Sequence, residues 1–286
     1  MSATPPGAGL RADSSAAGLK AQLDEVWSSL GALGRDISDE EWTLQTACPG
    51  WSVAAQYAHV IGTESSLLGR PAPQAGDGVV AHVRNQIGGR NEAWVASFAA
   101  TSRSDVLDVF DEVTAARREA LAGMGEDDFS AASWTPVGEA DYRRFMQIRV
   151  FDCWVHDQDV RDAVGRPGQR YGSAAEQSVD EIVRAAGYVV GKRGGAPAGS
   201  SVRIALTGPV FREVNVSVVD GRARVVEGGQ ATPTVSLTLS SDAFTRLSCG
   251  RVDPSVVVDG GAFGGVQVAG DMELGVQIAR NLAFTI

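Results

Sequence analysis

Apolar residues recur every three or four positions through the first two thirds of the chain. The first such segment carries Leu19, Leu23, Val26, Leu30 and Leu33, and Gly34 follows as a predicted helix stop. A second predicted helix begins after Cys48-Pro49-Gly50-Trp51, with Ser52 as its N-cap, and runs to about Leu68. Further helices are predicted near 79–98, 104–122, 140–164 and 173–190. Long helices with short connections are typical of a bundle, which we assign to residues 18–190.

The pattern changes after residue 190. Residues 191–200, GKRGGAPAGS, have the composition of a linker. In residues 201–286 apolar and polar positions alternate, as in Val202, Ile204 and Leu206, and Asp220-Gly221 stands where a hairpin turn belongs. Two short helices are predicted, one after Ser241 and one from about Met272 to Leu282. The fold class is therefore multidomain α and α+β, with a smaller α+β domain at the C-terminus.

Composition limits the classes of partner. The 286 residues include 25 Lys and Arg against 35 Asp and Glu, a formal charge of -10, without a basic cluster that would follow a phosphate backbone. We therefore expect no nucleic-acid partner. We also expect no membrane partner, because no apolar run approaches the roughly 18 residues of a membrane span. Residues 1–17 are expected to form a disordered leader. Three cysteines without metal-ligand spacing fit a reducing cytoplasm.

One late segment, RVFDCWVHDQDVRDA, places Asp152, His156 and Asp159 on one helical face. That face also carries Phe145 and Ile148, which suggests that it points into the bundle. A carboxylate buried among apolar side chains must be paired or must bind a cation. The alternative is a half-exposed polar face with an ordinary surface histidine, and the spacing alone does not decide between them.

The other histidines leave similar choices open. His59 lies off the apolar stripe of the second helix, beside small residues, so it borders a cavity or faces solvent. His82 is a candidate for binding a cofactor, with a helix surface or a core position as alternatives. Cys48 precedes a helix N-terminus, but it reads more naturally as part of a tight turn than as a nucleophile, and Cys153 reads as core. The tryptophans read as core and receive no functional role.

Four motifs in this order carry a resemblance: CPGWSVAAQYAHVIGTE, HVRNQIGGRNEAWV, TPVGEADYRRF and RVFDCWVHDQDVRDAVGRP. Together they resemble the mycothiol-dependent maleylpyruvate isomerase family, whose N-terminal domain is a DinB-like four-helix bundle. The segments AFTRLSCGRVDP and VQVAGDMELGVQIARNLAF are similar to the second domain of that family, which is related in fold to sterol carrier proteins.

The resemblance implies a divalent metal, usually zinc, held by residues that map to His59, Asp152 and His156. The acidic position is often Glu in the family, where this chain has Asp152. The family also uses an arginine of the second domain, for which Arg246 and Arg251 are candidates. Mycothiol is the implied thiol cosubstrate.

With two imidazoles and one carboxylate as ligands, a tetrahedral zinc keeps one open position that a small thiol can occupy. We expect an isomerase or S-transferase acting on a small electrophile, as a monomer in the cytoplasm. The alternatives are a metal-assisted hydrolase that works without the thiol, and a non-enzymatic binding or regulatory protein that retains the metal site.

Overall fold

A computed structural model describes residues 12–74 and 83–285 of the chain. It divides into two compact units, one formed by Asp13–Gln169 and the other by Ala12 with the described residues from Arg170 onward. We call them the helical unit and the sheet unit. This agrees with the predicted fold class of a helical part followed by a smaller part that contains a sheet.

The helical unit contains seven of the described helices and one short hairpin. The helices are α1 (Ala16–Asp36), α2 (Asp39–Trp42), α3 (Val53–Leu67), α4 (Gln86–Ser97), α5 (Arg103–Ala122), α6 (Glu126–Phe129) and α7 (Tyr142–Ala163). The hairpin pairs β1 (Ala132–Thr135) with β2 (Gly138–Asp141). The predicted helices α1, α3, α5 and α7 are confirmed, whereas the hairpin was not predicted.

The four longest helices of this unit share one core. Helix α1 packs against α5 and α7, and α3 packs against the same two helices. Their apolar stripes are buried, with Leu19, Leu23 and Leu30 of α1 wholly inaccessible to solvent. The three- and four-residue spacing of the sequence thus sets which face of each helix is covered.

Gly34 was predicted to stop the first helix, and this is wrong. Helix α1 continues to Asp36, and the backbone N–H of Ile37 still donates to the carbonyl of Leu33. A Cβ atom at Gly34 would lie 2.6 Å from Leu107 Cδ2 and 2.9 Å from the Tyr57 hydroxyl oxygen. The glycine is there because neighbouring side chains approach the α1 backbone closely, and not because the helix ends.

The sheet unit contains five strands and five short helices. The strands are β3 (Ser201–Thr207), β4 (Arg212–Val219), β5 (Arg222–Val226), β6 (Val235–Ser240) and β7 (Val266–Gly270). The helices are α8 (Ser173–Arg184), α9 (Ala186–Tyr188), α10 (Ser241–Ser248), α11 (Pro254–Val258) and α12 (Met272–Arg280), with a π-helical turn at Val189–Arg193.

The strand order is β5-β4-β3-β6-β7, with β3 and β6 parallel and the other pairs antiparallel. Val202, Ile204 and Leu206 are buried, as their alternation predicts. The predicted turn at Asp220-Gly221 joins β4 to β5, and both residues have positive φ values, 49° and 70°, as a type I′ hairpin turn requires.

The division between the units lies earlier than the linker expected at residues 191–200. Helix α8 belongs to the sheet unit, where the Asp180 carboxylate accepts a hydrogen bond from Arg212 Nε at 2.7 Å. Both side chains are buried, so a paired charge attaches α8 to β4. The sequence pattern gives no sign of this contact, because it joins residues 32 positions apart.

The expected leader, residues 1–17, falls mainly outside the described residues. Its last part is described, and there Ser15 caps α1, which begins at Ala16. The helix thus includes the last two residues of the expected leader. Within the described part of the chain, no helix combines the length and the apolar character needed to span a membrane.

Candidate metal centre

A tight turn precedes α3 and brings two side chains toward the site. The Trp51 N–H donates to the carbonyl of Cys48 at 3.1 Å, and Gly50 has a φ of 78°. Proline at the second position and a glycine with positive φ at the third are the requirements of a type II turn. The Cys-Pro-Gly-Trp sequence thus fixes the backbone positions of Cys48 and Trp51.

Helix α3 follows this turn and carries His59. Its N-cap is Ser52, as predicted, whose hydroxyl accepts from the N–H of Ala55. His59 lies two turns into the helix and is only 4% exposed. The solvent-facing alternative for His59 is therefore excluded.

Helix α7 supplies the other members of the cluster. His59 Nε2 lies 3.0 Å from Asp152 Oδ2, and His156 Nε2 lies 3.6 Å from Asp152 Oδ1. One donor atom from each residue lies within 4.8 Å of the other two. The structure therefore brings together the three residues that the sequence predicted as metal ligands, and the surface alternative for His156, which is buried, is excluded.

Trp51 covers the two imidazoles. Its ring centroid lies 4.9 Å from that of His59 and 5.7 Å from that of His156, and the two imidazole centroids are 4.7 Å apart. The Trp51 indole N–H donates to Glu92 Oε1 at 2.6 Å. Sequence analysis gave Trp51 no role; its position directly after the turn that leads into the His59 helix is the signal that could have assigned one.

Asp159 lies behind His156. Its Oδ2 atom is 3.2 Å from His156 Nδ1, on the opposite side of the ring from Asp152. An arrangement in which a carboxylate holds one ring nitrogen leaves the other nitrogen able to bind a metal. His59 differs, because its Nδ1 is buried and has no hydrogen-bond partner among the described residues.

The three members of the cluster have pKa values that shift in different directions. Burial lowers the pKa of His59 and outweighs the opposing effect of Asp152, so this imidazole holds a proton less readily than an ordinary histidine. Burial also acts against charge on His156, but the carboxylates of Asp152 and Asp159 prevail and raise its pKa. The pKa of Asp152 lies well below its usual range, because the effects of His59, Arg149 and His156 exceed that of desolvation. Asp152 is thus an anion between two imidazoles.

A buried ion network supports Asp152. Arg149 Nη1 donates to Asp152 Oδ2, while Arg149 Nη2 donates to Glu64 Oε1 at 2.8 Å. Arg117 Nε donates to the other oxygen of Glu64, also at 2.8 Å. The sequence did not predict this network, because the spacing of Glu64, Arg117 and Arg149 gives no signal. Only the packing of α3, α5 and α7 brings the three side chains together.

The donor set fits a divalent metal. Zinc bound to nitrogen and oxygen at about 2.0–2.2 Å separates neighbouring ligand atoms by about 3.4 Å in a tetrahedron. The two observed contacts to Asp152, 3.0 and 3.6 Å, lie on either side of that value. Two imidazoles and one carboxylate leave one tetrahedral position without a protein ligand. The Asp152 side chain is 28% exposed, so the cluster is not wholly closed to solvent.

The remaining predicted residues have other surroundings. Arg246 and Arg251 belong to the sheet unit, where Arg246 donates to Asp242 Oδ1 at 3.1 Å and Arg251 donates to the carbonyl of Cys249 at 2.8 Å. His82 lies outside the described residues. Cys153 is buried, as predicted, and burial raises the pKa of its thiol, which makes it a poor nucleophile.

A groove of about 540 Å³ lies on the sheet unit. It is lined by Ser217, Val219, Asp220, Arg222, Arg224 and Val226. None of these residues is a predicted ligand or catalytic group, so the groove does not bear on the metal centre.

The segment that contains this cluster matches a known domain family. Residues 23–161 match the mycothiol maleylpyruvate isomerase N-terminal domain. The match contains every residue of the cluster and ends two residues after Asp159. The resemblance to this family, suspected from the sequence motifs, is confirmed by this match.

Solved structures extend the likeness in fold to both units. The crystal structure of the mycothiol-dependent maleylpyruvate isomerase aligns with a TM-score of 0.56 and 17% identity, covering 89% of this chain and 92% of that chain. A mutant of the isomerase aligns with a TM-score of 0.55 and 16% identity over the same shares. At these identities the likeness concerns the fold.

Two curated relatives come from Mycobacterium tuberculosis. They are the uncharacterized proteins MT0041, of strain CDC 1551 / Oshkosh, and Rv0036c, of strain H37Rv. Each is 28% identical over 168 residues, which is 57% of this chain and 62% of the relative. The chain therefore matches about three fifths of the length of these relatives.

Proposed function

We propose that this protein is a metal-dependent enzyme that uses mycothiol for S-transfer to a small electrophile or for its cis–trans isomerisation. The observation that carries the proposal is the convergence of His59, Asp152 and His156 inside a mycothiol maleylpyruvate isomerase N-terminal domain. Two imidazoles and one carboxylate supply three protein ligands and leave the fourth position of a tetrahedral metal open. This is the arrangement of catalytic zinc sites.

In this proposal His59, Asp152 and His156 hold one divalent metal, zinc. A metal in such a site lowers the pKa of a bound thiol and so supplies thiolate near neutral pH. Asp152 is the single anionic ligand and leaves the site with net positive charge, which suits a second, exchangeable anion such as a thiolate.

The surrounding residues prepare the ligands. Asp159 Oδ2 accepts a hydrogen bond from His156 Nδ1–H and so leaves the lone pair of Nε2 for the metal. Arg149, held by Glu64, keeps Asp152 ionised and fixes its orientation. Trp51 covers both imidazoles and excludes water from one side, so that solvent competes less with the thiol.

The family resemblance also supports proposals about the two domains and about the residues that bind substrate and thiol. We propose that the helical unit is a DinB-like four-helix bundle and that the sheet unit is a sterol-carrier-like domain. Arg246 and Arg251 remain the candidates for binding the substrate, and His82 for binding the thiol cofactor. We further propose that the protein acts as a monomer in the cytoplasm.

The test is turnover of small electrophiles, maleylpyruvate among them, by zinc-loaded protein with and without mycothiol. We expect product only when both zinc and mycothiol are present; a stable thioether indicates S-transfer, and a trans product without net thiol consumption indicates isomerisation. Turnover that is equal without the thiol would replace this proposal with metal-assisted hydrolysis. Bound zinc without any turnover would leave a binding protein.

A further inference from the structure

Cys48 lies close to His156 and Asp159, beside the proposed metal centre. Its sulfur, a ring nitrogen of His156 and a carboxylate oxygen of Asp159 all lie within 4.8 Å of one another. His156 and Asp159 are buried, whereas Cys48 is partly exposed. This second set of a thiol, an imidazole and a carboxylate shares only His156 with the first.

The turn holds the backbone of Cys48 in place. The Cys48 N–H donates to Thr46 Oγ1 at 3.2 Å, and its carbonyl accepts from Gln45 Nε2 at 3.0 Å and from the Trp51 N–H at 3.1 Å. The sulfur therefore moves by rotation about χ1 alone. Zinc bonds of about 2.3 Å to sulfur and about 2.0 Å to nitrogen place these ligand atoms roughly 3.6 Å apart. The sulfur already lies within 4.8 Å of a ring nitrogen of His156, so the required movement is small.

The spacing of the other two ligands also suits a cation. His156 Nδ1 and Asp159 Oδ2 are 3.2 Å apart, close to the roughly 3.4 Å between neighbouring ligands of tetrahedral zinc. The same distance suits a hydrogen bond from Nδ1–H, so the proton and the cation are alternatives at this position. A neutral imidazole has one lone pair, at Nδ1 or at Nε2. His156 can therefore bind a cation in only one of the two sets at a time.

We propose that Cys48, His156 and Asp159 form a second coordination set for a thiophilic divalent cation, such as Zn2+ or Cd2+, and that this set and the first exclude one another. The thiolate ligand gives the second set its preference for soft cations, since the first set offers only nitrogen and oxygen. The proposal concerns binding and stands apart from the thiol-dependent reaction.

Cobalt spectroscopy tests the second set directly, because only a thiolate ligand gives a sulfur-to-cobalt charge-transfer band. His59→Phe removes a ligand of the first set and keeps a ring against Trp51. We expect Co2+ bound to this variant to show the band, and the double variant with Cys48→Ser to lose it. His59→Phe combined with Cys249→Ala, which removes a cysteine of the sheet unit, is the control and should retain the band.

A His59→Phe protein without the band, or a band that survives Cys48→Ser, would overturn the proposal. If circular dichroism shows that His59→Phe does not fold, the intact chain provides a second measurement. Cys48→Ser should then weaken Cd2+ binding at least tenfold and leave Mn2+ binding unchanged. Equal Cd2+ affinity of the two proteins would overturn the proposal. Each result holds whether or not the protein turns over a thiol substrate, so the two proposals fail separately.

Discussion

At the scale of single residues, the two imidazoles of the cluster differ in their surroundings. His156 has a carboxylate near each ring nitrogen, whereas His59 has Asp152 at one nitrogen and no hydrogen-bond partner at the other among the described residues. Burial acts on both rings, but only His156 has enough negative charge nearby to outweigh it. The two rings should therefore titrate in opposite directions from the ordinary value of about 6.5.

Imidazole NMR of the metal-free protein measures this difference. We expect His156 to titrate above the ordinary pKa of a histidine and His59 below it. With three histidines in the chain, His156→Gln and His59→Gln assign the signals. A proton on His156 competes with the metal, so zinc affinity should rise with pH until that proton is lost. A midpoint for His156 below that of His59 would contradict the electrostatic description.

At the scale of elements, Glu64 connects three helices. It lies on α3 and accepts hydrogen bonds from Arg117 of α5 and from Arg149 of α7, with all three side chains at most 4% exposed. Removing the central carboxylate charge leaves two buried guanidinium groups without their shared anion. The loss of one partner from a buried ion pair typically costs about 3–5 kcal/mol.

Glu64→Gln should accordingly lower the free energy of unfolding by about 3–5 kcal/mol, measured by urea denaturation of the metal-free protein. The control is Glu112→Gln, which removes an exposed partner of Arg70 and should cost about 0–1 kcal/mol. Similar losses in the two variants would mean that the buried network does not organise the helices.

The same network marks the limit of what the sequence predicts. Helices α1, α3, α5 and α7 follow from apolar spacing, and the His59, Asp152 and His156 set follows from family motifs. The Glu64 network and the stacking of Trp51 depend on contacts between helices that are distant in sequence. The β1–β2 hairpin was missed because its strands show no apolar alternation and only one of their eight residues is buried.

At the scale of the whole molecule, α8 belongs with the sheet although it follows the long helices in sequence. Asp180→Asn should weaken its buried pair with Arg212, so we expect amide hydrogen exchange to accelerate together in α8 and β4. Helices α3 and α7 of the helical unit should keep their protection. Acceleration of α8 together with α3 and α7, and not with β4, would restore a boundary after α8.

Zinc affinity, measured by competition with a chelator, shows whether Asp152 is the anionic ligand of one divalent metal. The measurement uses a Cys48→Ser background, so that the second set cannot take the ion. Asp159→Asn should weaken binding by about 10- to 100-fold through misorientation of His156, and Asp152→Asn should weaken it more. Asp162→Asn, on an exposed part of the same helix, should bind like the parent. Parent-like affinity of Asp152→Asn, with loss in Asp159→Asn, would contradict the account.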